Sequence, residues 1–162
     1  MVNRRNFLAL GAVAAAGCAT VPQGNVAKMA KKLPGGGDPR MRGPFPIMTT
    51  PYLADGQVDY EGLAREACFV ADAGCPGVIW CQSNDAIDLL TFDEKKRGYE
   101  TIAQALAGRR IVATFGCNGA DAAQMVREAK AVEDVAAKYP QTQIAIISRP
   151  PDSGKTQADI RA

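Results

Sequence analysis

The sequence predicts an α/β chain built from repeated strand–helix units, and two regularities carry that expectation. Short apolar runs begin near residues 46, 77, 110 and 143, one every 31 to 33 residues. Between them lie stretches with apolar residues at helical spacing, each opened by a capping residue. Composition agrees: 162 residues with 47% hydrophobic, 22% charged and 6% aromatic content are globular, neither disordered nor collagen-like. The length suits one domain and excludes a large multidomain enzyme.

Taken in order, Pro46-Ile47-Met48-Thr49-Thr50 reads as a buried strand stopped by Pro51. Asp59 caps a helix with Leu63, Ala67, Val70 and Ala71 on one face, closed by Gly74. Gly77-Val78-Ile79-Trp80-Cys81 is the second strand. Thr91-x-x-Glu94 is a capping box, opening a helix with Tyr99, Ile102, Ala103 and Leu106 aligned and Gly108 at its end. Arg110–Phe115 is the third strand. Asp121 starts a helix with Met125, Ala129, Val132 and Ala136 aligned, and Gln143–Ser148 is the fourth strand. Thr156 onward begins a fourth helix. Such units demand a parallel sheet with right-handed crossovers and cover on both faces. Periodicity alone leaves two architectures open: a doubly wound sheet, or part of a (β/α)8 barrel, which runs to about 250 residues.

The formal charge is +2, from 19 Lys and Arg against 17 Asp and Glu. Arg4 and Arg5 hold the entire excess; from Cys18 onward the count is 17 against 17. A surface so balanced is not that of a nucleic-acid binder. With 0 histidines, Ser-His-Asp and Cys-His machinery and any His-ligated metal are excluded.

Residues 1–20, MVNRRNFLALGAVAAAGCAT, have the layout of an export signal: a basic start, the apolar run Phe7–Ala16, then small residues. That run is too short to span a bilayer as a helix. Arg4-Arg5 followed by Phe7-Leu8 resembles the twin-arginine signal. Ala15-Ala16-Gly17-Cys18 resembles a lipoprotein cleavage box, which makes Cys18 a lipidation candidate and a membrane anchor. Ala14-Ala15-Ala16 equally suits an ordinary signal peptidase, so the location expected is periplasmic or membrane-anchored. Residues 21–43, with Pro22, Pro34, Gly35-Gly36-Gly37 and Pro39, read as a flexible linker, and residues 44–162 as the folded part.

Three features bear on chemistry. Ser148–Thr156, SRPPDSGKT, resembles a phosphate-binding P-loop, but Arg149 stands where its first glycine belongs and two prolines remove amide donors. A solvated loop is the better reading. Cys68, Cys75, Cys81 and Cys117 show no CxxC spacing, so no zinc site is expected. Cys68 reads as a core thiol. Cys81 and Cys117 follow strands two and three, at the sheet edge where such folds bind ligands, as packed thiols or a disulfide. Last, Cys81-Gln82-Ser83-Asn84-Asp85 carries amide, hydroxyl and carboxylate groups, and its successive backbone amides suit an anion, with the Ser83 hydroxyl as an extra donor. An ordinary polar loop is the plainer reading of the same residues.

Thr49-Thr50-Pro51-Tyr52-x-x-Asp55-Gly56-x-Val58-Asp59-x-x-Gly62-Leu63 resembles the opening of the dihydrodipicolinate synthase/N-acetylneuraminate lyase family. The similarity continues through Ala73-Gly74-x-x-Gly77-Val78, Leu90-Thr91-x-x-Glu94 and Gly116. It implies the N-terminal half of a (β/α)8 TIM barrel, four βα units with the last helix cut short. It also implies class I aldolase chemistry, in which a strand-six lysine forms a Schiff base with a pyruvate-like 2-oxo acid and a strand-five tyrosine relays protons. The family's strand two ends in a Gly-Thr-Thr-Gly-Glu-like motif that holds the substrate carboxylate. By resemblance Cys81 takes the first glycine's place, Gln82 and Ser83 those of the threonines, and Asn84-Asp85 that of Gly-Glu; Gln82 and Ser83 are therefore the candidate substrate-binding residues. Pro150-Pro151 replace aromatics frequent after strand four.

The resemblance reaches neither strand five nor strand six, so no catalytic residue is expected within these residues and no aldolase activity from this chain alone. No cofactor or metal is expected, and a homo-oligomer is. The competing expectation is an exported, non-catalytic binding or interaction protein built on a half-barrel.

Overall fold

In the computed structural model, residues 41–85 and 87–149 are described. The expected export signal, Cys18, most of the linker, Pro150-Pro151, Lys155 and the helix expected from Thr156 lie outside them.

The elements alternate: α1 (Tyr60–Asp72), β1 (Gly77–Trp80), α2 (Phe92–Ala105), β2 (Val112–Gly116), α3 (Ala122–Lys138) and β3 (Gln143–Ile147). Each helix begins where a short polar side chain satisfies an orphan amide. Asp59 accepts from the Gly62 N–H at 2.8 Å and Asp121 from the Gln124 N–H at 2.8 Å. At Thr91 the capping box is complete, because Glu94 returns a carboxylate to the Thr91 N–H at 2.8 Å. Each such cap stabilises its helix by about 1 kcal/mol.

The three described strands pair in parallel, and β2 lies between β1 and β3. The run expected as a first strand at 46–50 is not a strand. It makes a single parallel bridge, Ile47 to Ile79, with the Ile79 N–H on the Pro46 carbonyl and the Met48 N–H on the Ile79 carbonyl, both at 2.8 Å. Pro46 has no N–H and Pro51 breaks the run, so the ladder goes no further. Its place is still beside β1, so spatial order follows chain order across all four units.

That order separates the two architectures. A doubly wound sheet reverses its strand order to cover both faces, whereas a barrel adds each strand beside the last. Here α1 packs on α2 and α2 on α3, in step with the strands beneath. The fold is the opening half of a (β/α)8 barrel.

The core lies between sheet and helices. Val78, Trp80, Ala113 and Phe115 pack with Leu63, Ala67, Tyr99, Ile102, Ala103 and Leu106. Tyr99 sits edge-on to Trp80 (centroids 5.6 Å apart) and tilted against Phe115 (4.8 Å). Gly98 of α2 allows this approach, since a Cβ there would lie 2.0 Å from Trp80 Cη2. The buried face of α3 is turned from the expected one: Glu128, Ala131, Val132 and Val135 are buried, and Met125 and Ala129 only half-buried. The cause is Glu128, which enters the core to meet a charge on α2. On the opposite face of β2, Thr114 is buried and its hydroxyl has no hydrogen-bond partner among the described residues.

Candidate functional site at the strand ends

Three segments emerge at the C-terminal ends of the parallel strands, Cys81–Asp85, Gly116–Asn118 and Ser148-Arg149, and Thr49-Thr50 joins them from the bridged run beside β1. Parallel α/β folds gather their ligand chemistry at this edge.

The chain leaves β1 through Cys81, whose φ of +61° makes it the one non-glycine in the left-handed region among the described residues. An L-residue there costs roughly 1–2 kcal/mol, which glycine avoids. The bend is fixed from β2, because a Cβ on Gly116 would fall 1.9 Å from the Cys81 carbonyl oxygen. Behind it, the Tyr99 hydroxyl donates to the Gly116 carbonyl at 3.1 Å.

The end of the loop is tied to the first segment. Asp85 accepts from the Thr50 N–H at 2.9 Å and from the Thr50 hydroxyl at 2.5 Å, and that hydroxyl accepts from Trp80 Nε1 at 3.1 Å. Nearby, Glu66 accepts weakly from the Thr49 N–H at 3.4 Å. Partial burial raises the Glu66 carboxyl above its ordinary value.

The middle of the loop is tied to the next two. Asn118 is buried and bonds in three directions. Its Nδ2 donates to Gln82 Oε1 at 3.1 Å, its Oδ1 accepts from the Arg149 N–H at 3.3 Å, and its own N–H donates to Glu128 Oε2 at 3.1 Å. The other Glu128 oxygen meets Lys95 Nζ at 2.8 Å, in a pair whose side chains are only 8% and 2% exposed. A buried ion pair thus stands behind Asn118, whose side chain links the loops after β1, β2 and β3.

Of the sequence candidates, Gln82 and Ser83 are both at this edge. Their amide inventory differs from the expectation, because the Ser83 N–H is donated to Gln82 Oε1 at 2.6 Å; the Ser83 side chain is exposed. Asn118, Glu128 and Lys95 were not expected to take part. Their signal was present: Lys95 and Glu128 each stand four residues before a core position, Tyr99 and Val132, and so on the core stripes of consecutive helices. Two opposite charges on facing apolar stripes mark a buried pair.

Cys81 and Cys117 lie where expected and are free thiols, as are Cys68 and Cys75, so no disulfide joins the strand ends. Burial pushes both the Cys81 and the Cys117 thiol up to about 12. Since the thiolate is the nucleophile, neither serves as one near neutrality. In the folded chain at pH 8, alkylation mapped by mass spectrometry is expected to label half-buried Cys75 and Cys68 well before Cys81 and Cys117; equal rates would contradict the burial.

No protein-family profile matches the chain. Among curated proteins it is 35% identical over 108 residues to the 4-hydroxy-tetrahydrodipicolinate synthase of Mycolicibacterium gilvum, covering 66% of this chain and 35% of that protein. The N-acetylneuraminate lyase of Mycoplasma synoviae superposes with a TM-score of 0.61 at 24% identity, over 73% of this chain and 39% of that one. Its relatives belong to the dihydrodipicolinate synthase/N-acetylneuraminate lyase family. A third, a prophage protein of the dihydrodipicolinic acid synthase family from E. coli K12 solved in complex with pyruvate, superposes at TM-score 0.58 and 21% identity, over 70% and 36% of the two chains. The chain spans about a third of the length of the curated relatives it matches.

Proposed function

We propose that residues 44–149 are the opening half of a barrel of this family, and that the loop after β1 holds the carboxylate of a 2-oxo acid such as pyruvate. The observation that carries this reading is the left-handed bend at Cys81, which occupies the place of a family glycine and delivers Gln82 and Ser83 to the strand-end edge. The pyruvate complex of the prophage relative supports the substrate class.

In the family reaction a lysine amine attacks the 2-oxo carbon and water leaves to give a Schiff base; loss of a proton from the neighbouring carbon gives the enamine that adds to an aldehyde, and cleavage runs the same steps in reverse. The part assigned to this half is binding and orientation. A carboxylate fixed by backbone and side-chain N–H groups holds the adjacent 2-oxo carbon in one orientation. The lysines of the described region, Lys95, Lys96, Lys130 and Lys138, all stand on helices, and Lys95 is neutralised by Glu128. None is an amine at a strand end. The 162-residue polypeptide treated with pyruvate and borohydride is therefore expected to yield no covalent adduct. An adduct on any of these lysines would overturn the division of labour. Export directed by residues 1–20 belongs to the same proposal, supported by Arg4-Arg5 and the apolar run after them.

A further inference from the structure

Two N–H donors from different strand ends converge on one oxygen. The Ser83 N–H reaches Gln82 Oε1 at 2.6 Å and Asn118 Nδ2 reaches the same atom at 3.1 Å. Convergent donors of this kind are how proteins hold one oxygen of a carboxylate, and here the oxygen belongs to the chain itself. We propose that Ser83 N–H and Asn118 Nδ2 form a carboxylate-oxygen site, and that Gln82 caps it in the unliganded protein, so that a carboxylate ligand binds by displacing the Gln82 amide. This rests on the reading of the loop as a 2-oxo-acid site, and adds to it a donor from the next strand and an internal competitor.

The two partners differ in how firmly they are held. Asn118 is buried, with its backbone pinned by Glu128 and its Oδ1 engaged by the Arg149 N–H, so its Nδ2 is aimed at a fixed point. Gln82 is half-buried, and no other hydrogen bond of its side chain is seen among the described residues. Rotation about its side-chain torsions removes Oε1 without disturbing the donors. A carboxylate brings a full negative charge to them where Gln82 brings a neutral carbonyl, and charge-assisted bonds are about twice as strong. The cap still lowers apparent affinity, by the fraction of molecules in which the site is open.

The test uses the 162-residue chain, labelled with ¹⁵N, and the variant Gln82→Ala. Without ligand, the Ser83 amide is expected to exchange with solvent several-fold faster in Gln82→Ala; an unchanged rate overturns the cap. Titrated with pyruvate, Gln82→Ala is expected to bind about threefold to tenfold more tightly than the parent chain, the worth of one net hydrogen bond. The shifts should centre on the Ser83 amide and the Asn118 side-chain NH₂ resonances. Asn118→Ser, which shortens the donor, should weaken binding in either background. Acetate separates the two claims. If acetate binds as well as pyruvate with the same Gln82 dependence, the capped carboxylate site stands and the 2-oxo-acid reading falls. If pyruvate binds and Gln82→Ala does not tighten it, the cap falls and the reading stands. If neither anion moves these resonances in the variant, the site itself is overturned.

Discussion

Glu128→Ala is expected to destabilise the fold by about 3–5 kcal/mol, because it leaves the Lys95 ammonium buried without its carboxylate. For a domain of ordinary stability, about 5–15 kcal/mol, that is a large share of the whole. The same change removes the acceptor for the Asn118 N–H, adding an unmade hydrogen bond at the strand ends. The two contributions separate experimentally. The double variant Lys95→Met with Glu128→Gln takes away both charges and keeps an oxygen for Asn118, and is expected to return to within about 1.5 kcal/mol of the parent, since a buried pair replaced as a pair costs little. Urea unfolding followed by fluorescence reports it directly, because the chain has a single tryptophan, buried Trp80, in the core beside α2. A Glu128→Ala penalty under 1 kcal/mol would mean that water reaches the pair.

Trp80→Ala should cost a comparable amount, about 3–5 kcal/mol, with the effect seen by far-ultraviolet circular dichroism. Trp80 is fully buried, meets Tyr99 edge-on and lies under Gly98, where α2 comes so near that no side chain fits between. Truncation therefore opens a cavity beneath a helix with nothing at hand to fill it. The indole also serves the site, since Nε1 donates to the Thr50 hydroxyl that in turn bonds Asp85. Trp80→Phe separates the roles: it keeps most of the packing and loses the N–H, so a smaller loss of about 1–2 kcal/mol is expected. If Trp80→Phe were as damaging as Trp80→Ala, the hydrogen bond would outweigh the packing.

The rhythm of the fold was legible because it rests on local physics. Caps at Asp59, Thr91 and Asp121 and apolar spacing at Leu63–Ala67–Val70 and Tyr99–Ile102–Ala103 act within a turn or two of chain, and each stands where the sequence placed it. The first strand failed at a point where local and tertiary demands part: Ile47 and Met48 are strand-like, yet the flanking prolines leave room for only one bridge. The expected face of α3, Met125, Ala129, Val132 and Ala136, leaves Glu128 out, because apolar spacing within one helix does not show a buried carboxylate whose partner stands 33 residues away on another. The site was half legible for the same reason. Gln82 and Ser83 lie in one loop and can be read together, whereas Asn118 joins them only after β2 has been laid beside β1. Cys81 concealed a backbone demand, since its identity gives no hint of the left-handed bend a glycine would have announced.

The strict succession of strands has a consequence for how the chain is made. Among the described residues β1 bridges to Ile47 before it, β2 pairs with β1 and β3 with β2, and each helix packs on its predecessor, so contacts join residues about one repeat apart. Among the described residues no strand waits for a distant partner, and loop closures are short ones, which favours rapid assembly. A ribosome releasing this chain from its N-terminus would deliver each unit to a seat already built. The open edge then moves forward with synthesis, from β1 to β2 to β3, where two of the five residues, Gln143 and Ile146, are exposed. Such an edge is a growing tip, and until something covers it the nascent chain is most vulnerable to sticking to its neighbours there.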